Sequence, residues 1–172
     1  MGVVALKSTA ITNATATPRV LNSANIEHGN LRESQGFAVI TSGDSTGSTY
    51  RLMRIKSSDR LSALRVYSPD IGTTTAGDIG LYRTSDEGGA VVDVDAICSA
   101  LSLKDGALNG ADITFEATSA VGGIANAEKR VWECISGLTK DPHLEYDVTL
   151  TLTGDADATG TALFRMQYVS GE

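Results

Sequence analysis

The stretch YDVTLTLTGDADATGTALFRMQYV, residues 146–169, constrains this chain more than any other. In its first half Tyr146, Val148, Leu150 and Leu152 alternate with Asp147, Thr149, Thr151 and Thr153. In its second half Ala162, Phe164, Met166 and Tyr168 alternate in the same parity. A period of two marks a strand with one face in a core, and a slip of one residue would carry the whole apolar set into water. A hairpin centred on Asp157 pairs Leu150 with Phe164, Val148 with Met166 and Tyr146 with Tyr168. Two strands are not stable alone, so the pattern demands a larger sheet with something packed on it.

The preceding residues supply the strands. Phe37 to Ile40, Tyr50 to Ile55 and Leu61 to Tyr67 read as strands, as does the stretch holding Ile79 and Leu81. Turns at Ser57-Ser58-Asp59, Ser68-Pro69-Asp70 and Gly88-Gly89 separate them. Two short helices are expected between the strands. One is capped by Asp93 or Asp95, carries Ile97 and Leu101, and ends before Gly106. The other starts at Asn126 and places Val131, Cys134, Ile135 and Leu138 on one stripe, with Trp132 at its edge as a core anchor. Gly137 is its expected left-handed cap, and Asp141-Pro142 prevents continuation. With 172 residues, 18 of them glycine, and only 20% charged, the chain reads as one mainly β domain. The expected architecture is an antiparallel β-sandwich or jelly roll with one or two short helical insertions.

Residues 1–33 are of a different kind. Leu6, Ile11, Val20, Leu21, Ile26 and Leu31 follow no sustained period, and Pro18 with repeated Asn, Ser and Thr discourages helix and central strand alike. This segment is expected to be an extended N-terminal arm lying on its own domain or on a neighbour, with residues 34–172 forming the domain.

Charge and targeting signals narrow the function. A net charge of −7 opposes binding to a nucleic-acid backbone. No stretch approaches the roughly 20 apolar residues of a membrane span. The opening Met1 to Ile11 lacks the apolar run of a secretory signal. Met1-Gly2 opens like a myristoylation site, but Leu6 stands where Ser or Thr is required. Asn13-Ala14-Thr15 is a formal glycosylation sequon with no secretory context. Cys98 and Cys134 lack CxxC spacing and read as buried thiols in a reducing cytoplasm, a disulfide between them being the alternative.

Two motifs suggest chemistry. Gly43-Asp44-Ser45-Thr46-Gly47 spells G-x-S-x-G, the nucleophile elbow of a serine hydrolase. The elbow requires a helix after the serine, whereas Ser48 to Ile55 is rich in strand formers, and His143 is the sole histidine downstream. A Gly-bracketed hairpin turn accounts for the residues better. Asp155-Ala156-Asp157-Ala158-Thr159-Gly160 resembles the start of a calcium loop, but Thr159 and Met166 occupy the fifth and twelfth ligand positions. A hairpin loop between Gly154 and Gly160 is the competing reading. His28 and His143 have no partners at metal-ligand spacing. No catalytic residue, cofactor or metal is therefore assigned, and the chain is expected not to be an enzyme.

The segments TPRVLNSANIEHGNLRESQG, GSTYRLMRIKSSDRLSALRVYS, AGDIGLYRTSDEGGAVVD and YDVTLTLTGDADATGTALFRMQYV together resemble head decoration (cement) proteins of tailed bacteriophages. The likeness covers residues 17–169. It implies a β-sandwich or jelly roll with helical insertions, attached to the outside of a shell of major capsid protein as a dimer or trimer. It further implies a virion protein made in the bacterial cytoplasm that stabilises contacts between capsid subunits. The capsid contacts are expected on the arm, with Leu6, Ile11, Val20, Leu21 and Ile26 as anchors. Two alternatives stay open. One is a carbohydrate-binding β-sandwich module, calcium-dependent if the Asp155/Asp157 turn holds an ion, with Tyr50, Tyr67 and Tyr82 as its aromatic platform. The other is a different minor virion component such as a neck or fibre-base protein.

Overall fold

A computed structural model describes residues 5–116 and 118–171. The Met1-Gly2 motif lies outside them. Eight strands form: β1 (Leu31–Ile40), β2 (Thr49–Lys56), β3 (Arg60–Ser68), β4 (Ala76–Arg83), β5 (Val91–Ser102), β6 (Leu108–Asp112), β7 (Glu145–Gly154) and β8 (Gly160–Val169). They make two antiparallel four-stranded sheets, in the orders β1-β8-β3-β6 and β2-β7-β4-β5. The first sheet here is called sheet A and the second sheet B. Strand β1 pairs with β8, β2 with β7, β3 with β6 and β4 with β5, as though one long hairpin had been wrapped into two layers. That is jelly-roll topology. The expected mainly β sandwich is the fold found.

The alternation in the last two strands points inward as expected. Tyr146, Val148, Leu150, Phe164 and Met166 are wholly buried between the sheets. Their expected pairing is not found. Leu150 lies opposite Tyr50 and Ile79 within sheet B, and Phe164 lies opposite Gly36 and Val66 within sheet A. The connection 155–159 crosses from one layer to the other, so β7 and β8 face each other through the core instead of sharing a ladder. A hairpin and an arch between layers demand the same apolar parity, and parity alone cannot separate them.

The helix expected after Asp93 is strand β5. Its apolar residues mimic helical spacing because the strand is bulged. Ile79 pairs with Cys98 while Leu81, two residues on, pairs with Asp93. The extra residues of β5 fold over Gly80, where a Cβ would lie 2.2 Å from the Asp93 carbonyl oxygen and 2.3 Å from that of Val94. Only glycine admits that approach. Ile97 and Leu101 are buried as strand residues. Strand β6 was not expected; LNGAD carries too little pattern to announce itself.

The second expected helix is reduced to a turn at Ile124–Asn126 and a single α turn, α2 (Val131–Cys134). The backbone N–H groups of Val131 and Trp132 donate to the carbonyls of Asp59 and Ser57, and the Arg130 N–H donates to the Glu133 carboxylate at 2.7 Å. These bonds fasten α2 to the β2–β3 turn, and the chain is extended again at Ile135. Val131 is buried; Trp132, Cys134 and Ile135 are half-buried. Both thiols are free.

The loops gather at two ends. The β1–β2, β3–β4, β5–β6 and β7–β8 loops form the upper end. The β2–β3 and β4–β5 turns, the long β6–β7 connection and the N-terminal segment form the lower end. The N-terminal segment is not wholly extended: it contains helix α1 (Thr9–Ala14), in which nothing is buried. Strand β1 also reaches back to Leu31, three residues into the stretch set apart as an arm. Among the described residues no helix is long and apolar enough to cross a membrane.

Candidate interaction surfaces

Ser45 sits exposed in the β1–β2 loop, where Gly43 and Gly47 take positive φ of 98° and 90°. Strand β2 follows, not a helix, so the nucleophile-elbow geometry is missing. Because β1 and β2 belong to different sheets, this turn is a crossing between layers and not the expected hairpin. His28 and His143 both lie at the lower end, far from Ser45, with exposed side chains whose nearest acids are Glu27 at 3.5 Å and Asp141 at 3.8 Å.

The acidic residues of both motifs fasten the upper loops together. Asp155 accepts from the Thr46 N–H at 2.7 Å and hydroxyl at 2.9 Å. Asp157 accepts from the Thr73 hydroxyl at 2.6 Å and N–H at 2.9 Å. Asp44 accepts from the Tyr50 hydroxyl at 2.5 Å and the Thr41 N–H at 2.8 Å. Donors aimed at the ionised carboxylate favour the charged form. The Thr73 hydroxyl and then its N–H bring Asp157 down to about 2. The Thr46 N–H and hydroxyl lower Asp155, and the Tyr50 hydroxyl and Thr41 N–H lower Asp44. The sequence marked these carboxylates as chemically interesting, and the fold uses Asp155 and Asp157 to hold the β7–β8 crossing and Asp44 to hold the β1–β2 crossing. The calcium-loop letters lie in an arch between layers, another departure from the hairpin loop expected there.

Serine, acid and histidine do meet once, in a shallow lower-end depression of roughly 430 Å³ lined in part by Ser57, Asp141 and His143. The Ser57 hydroxyl donates to Asp141 at 2.5 Å and accepts the Leu144 N–H at 3.0 Å. The fully buried Ser57 is thus occupied in holding the start of β7. Burial raises the thiol of Cys98 to about 12, assisted by the charge of Glu116, and raises that of Cys134 to about 11. Neither behaves as a ready nucleophile.

The aromatic platform is not assembled. Tyr82 is buried and bonded to Thr151, and Tyr50 packs against the core with its hydroxyl on Asp44. Both belong to sheet B. Tyr67 lies on the opposite sheet.

Two apolar surfaces remain. The first is the arm: Leu6, Ile11, Val20, Leu21 and Ile26 are 89%, 51%, 49%, 82% and 40% exposed. The arm is tethered at the lower end. Asn25 donates from its amide to the Glu128 carbonyl at 3.0 Å, and Arg60 donates to the carbonyls of Asn25 at 2.8 Å and Ala127 at 3.1 Å. Beyond the tether, the Asn22 amide donates to Glu27 and to the Ala10 carbonyl while accepting from Asn13. These bonds fold α1 back beside the tether.

The second surface, the outer face of sheet A, has no counterpart in the sequence reading. Phe37 and Val39 project from edge strand β1 at 60% and 62% exposure. Phe37 stands in register with Leu163 of β8, which in turn stands beside Tyr67 of β3. A signal was present: in FAVI every residue is apolar, which an edge strand packed on one side does not require. Sheet B's outer face carries a charged cluster. There Asp147, nearly buried, receives Arg51 at 2.6 Å and Arg54 at 3.0 Å.

No family model matches the chain, and no curated protein matches it. Among solved structures, a chain of the cyanophage Pam1 capsid asymmetric unit superposes with a TM-score of 0.53 at 14% identity, over 82% of this chain and 85% of that one. A chain of the acidic stable capsid structure of Helicobacter pylori bacteriophage KHP30 matches at 13% identity over 83% of this chain and 94% of that one, with a TM-score of 0.38. The first is a likeness of fold.

Proposed function

We propose that this protein is a structural component of a phage virion that binds the outside of the assembled capsid and stabilises contacts between major capsid subunits. The observation that carries this reading is the pairing of a sandwich that buries its own core with an arm that leaves five large apolar side chains exposed. Burial of such side chains is worth about 1.5–3 kcal/mol each, and the arm as described leaves most of it unrealised. The jelly-roll likeness to a chain of a phage capsid structure supports the same reading. Leu6, Ile11, Val20, Leu21 and Ile26 are its anchors on neighbouring subunits of the shell. A protein that binds only the assembled lattice stabilises it by mass action, without any chemistry of its own.

Counting this chain against the major shell protein in purified particles, by quantitative mass spectrometry, tests the proposal. Copies in the hundreds fit a shell-coating role. A handful per particle would move the protein to a neck or fibre base, and absence would overturn a virion role. Removing residues 1–26 is expected to abolish binding to stripped shells while the sandwich stays folded; unchanged binding would sink the role of the arm.

A further inference from the structure

We infer that the upper half of the outer face of sheet A is a docking site for the arm of a second copy of this chain, taking helix α1 with Leu6 and Ile11. This deepens the shell-binding reading, and rests on it for the crowding that brings copies side by side. It reassigns Leu6 and Ile11, in the arm's far half, from the shell protein to another copy, and leaves Val20, Leu21 and Ile26 on the shell.

The receiving surface is continuous and apolar. Phe37, Leu163 and Tyr67 form a row across three strands, with Val39 above Phe37. Beside them a shallow groove of roughly 570 Å³ is lined by Tyr67, Pro69, Ala107, Thr161 and Leu163, among others. Below the row the face turns polar but balanced, with Arg165 on Glu33 at 2.5 Å and Arg65 near Asp112 at 3.9 Å. The patch runs out to β1, the edge strand of its sheet, so nothing of the same sheet borders it on that side. A partner arriving from the side reaches Phe37 and Val39 first.

Charge selects the arm as the occupant. Residues 1–26 carry Lys7 and Arg19 and no acid, so every one of the chain's 21 acidic residues lies from Glu27 onward. The upper rim above the patch is acidic. Its four loops hold Asp44, Asp70, Asp105, Asp155 and Asp157 against Lys104 alone. Asp70 adjoins the groove residue Pro69 in the chain, and Asp105 stands two residues before the groove residue Ala107. Two bodies of strong negative charge repel one another, whereas a basic, apolar arm meeting an acidic rim around an apolar patch is attracted on both counts.

Position favours an intermolecular contact. The arm is tied to its own domain at Asn25, at the lower end, and α1 is folded back beside that tether. The patch occupies the upper half of the face. Val20, Leu21 and Ile26, within a few residues of the tether, stay beneath their own domain and meet whatever it stands on. Leu6 and Ile11 lie further along the chain and swing outward once the half-buried bonds of Asn22 exchange with water. The contact is head-to-tail, so its repetition closes a ring or extends a chain of copies over the shell.

Two full-length variants, Ile11→Cys and Phe37→Cys, are mixed and oxidised gently, the native thiols being held unreactive by burial. The expected product is the mixed disulfide dimer, several-fold above either homodimer and falling as salt is raised. Absence of the mixed dimer overturns the proposal. So does dilution-independent closure within a chain carrying both substitutions, which would put the arm on its own face. On stripped shells, Phe37→Asp and Val39→Asp are expected to bind as isolated copies and to lose the cooperative rise in occupancy. If they bind as the unmodified chain does, the copy-to-copy contact is wrong and the shell reading survives. If the unmodified chain fails to bind shells, the shell reading itself is wrong.

Discussion

Leu6 and Leu21 of the arm stand in water, whereas Phe164 and Met166 of β8 are sealed between two sheets, although both segments offer large apolar side chains. Periodicity separates them. In β8 the apolar residues fall on every second position and therefore on one face, which a facing sheet can cover at once. In the arm they fall at 6, 11, 20, 21 and 26, which no single helix or strand gathers to one side. The six-residue helix that forms there buries none of its residues. Apolar content supplies a motive for burial, and only spacing lets the chain satisfy that motive within itself.

The contrast can be broken by substitution. Phe164→Ala empties the centre of sheet A's inner face and is expected to cost about 3–5 kcal/mol, read from urea unfolding. A loss below about 1 kcal/mol would mean the core collapses freely and the contrast with the arm is shallow. Gly80→Ala puts a methyl group against the carbonyls of the β5 bulge and is expected to cost about 1–3 kcal/mol in the same measurement. Ile11→Ser combined with Leu21→Ser is expected to leave stability within about 0.5 kcal/mol while removing shell binding. If that pair instead lowers the unfolding midpoint as Gly80→Ala does, the arm is part of the core.

A pH measurement probes the upper loops. Asp157 has its folded pKa lowered from 3.8 to about 2, so its contribution is present above 3.8 and is lost as pH falls through about 2. Asp155 and Asp44 are lowered too and act in the same direction. Stability should therefore drop on acidification across this window, and Asp157→Asn should flatten the drop. An unaltered profile in Asp157→Asn would show that the Thr73 bonds do not hold the crossing. This is the smallest effect expected, because the carboxylate is exposed to solvent.

The site was less legible than the fold. The five arm residues could be picked out because nothing periodic claimed them. Phe37 and Val39 read in the sequence simply as part of a strand, since FAVI names no face until its neighbours are known. Asp155 and Asp157 suggested an ion because letters at ligand spacing look alike whether they surround a metal or accept from Thr46 and Thr73 in a distant loop.

Local order was within reach of the sequence by itself: strands of period two, a core containing Tyr146, Val148, Leu150, Phe164 and Met166, glycine turns, and an arm without a pattern. Each depends on residues close together in the chain, where backbone geometry alone fixes which side chains share a face. Tertiary structure decided what is paired with what. It set β7 across the core from β8, bulged β5 over Gly80 where the sequence reads as a helix, and left the upper half of sheet A's outer face apolar and bare. A strand's pattern records that one side is buried and is silent on which partner buries it, so those outcomes belong to the free energy of the whole packed chain.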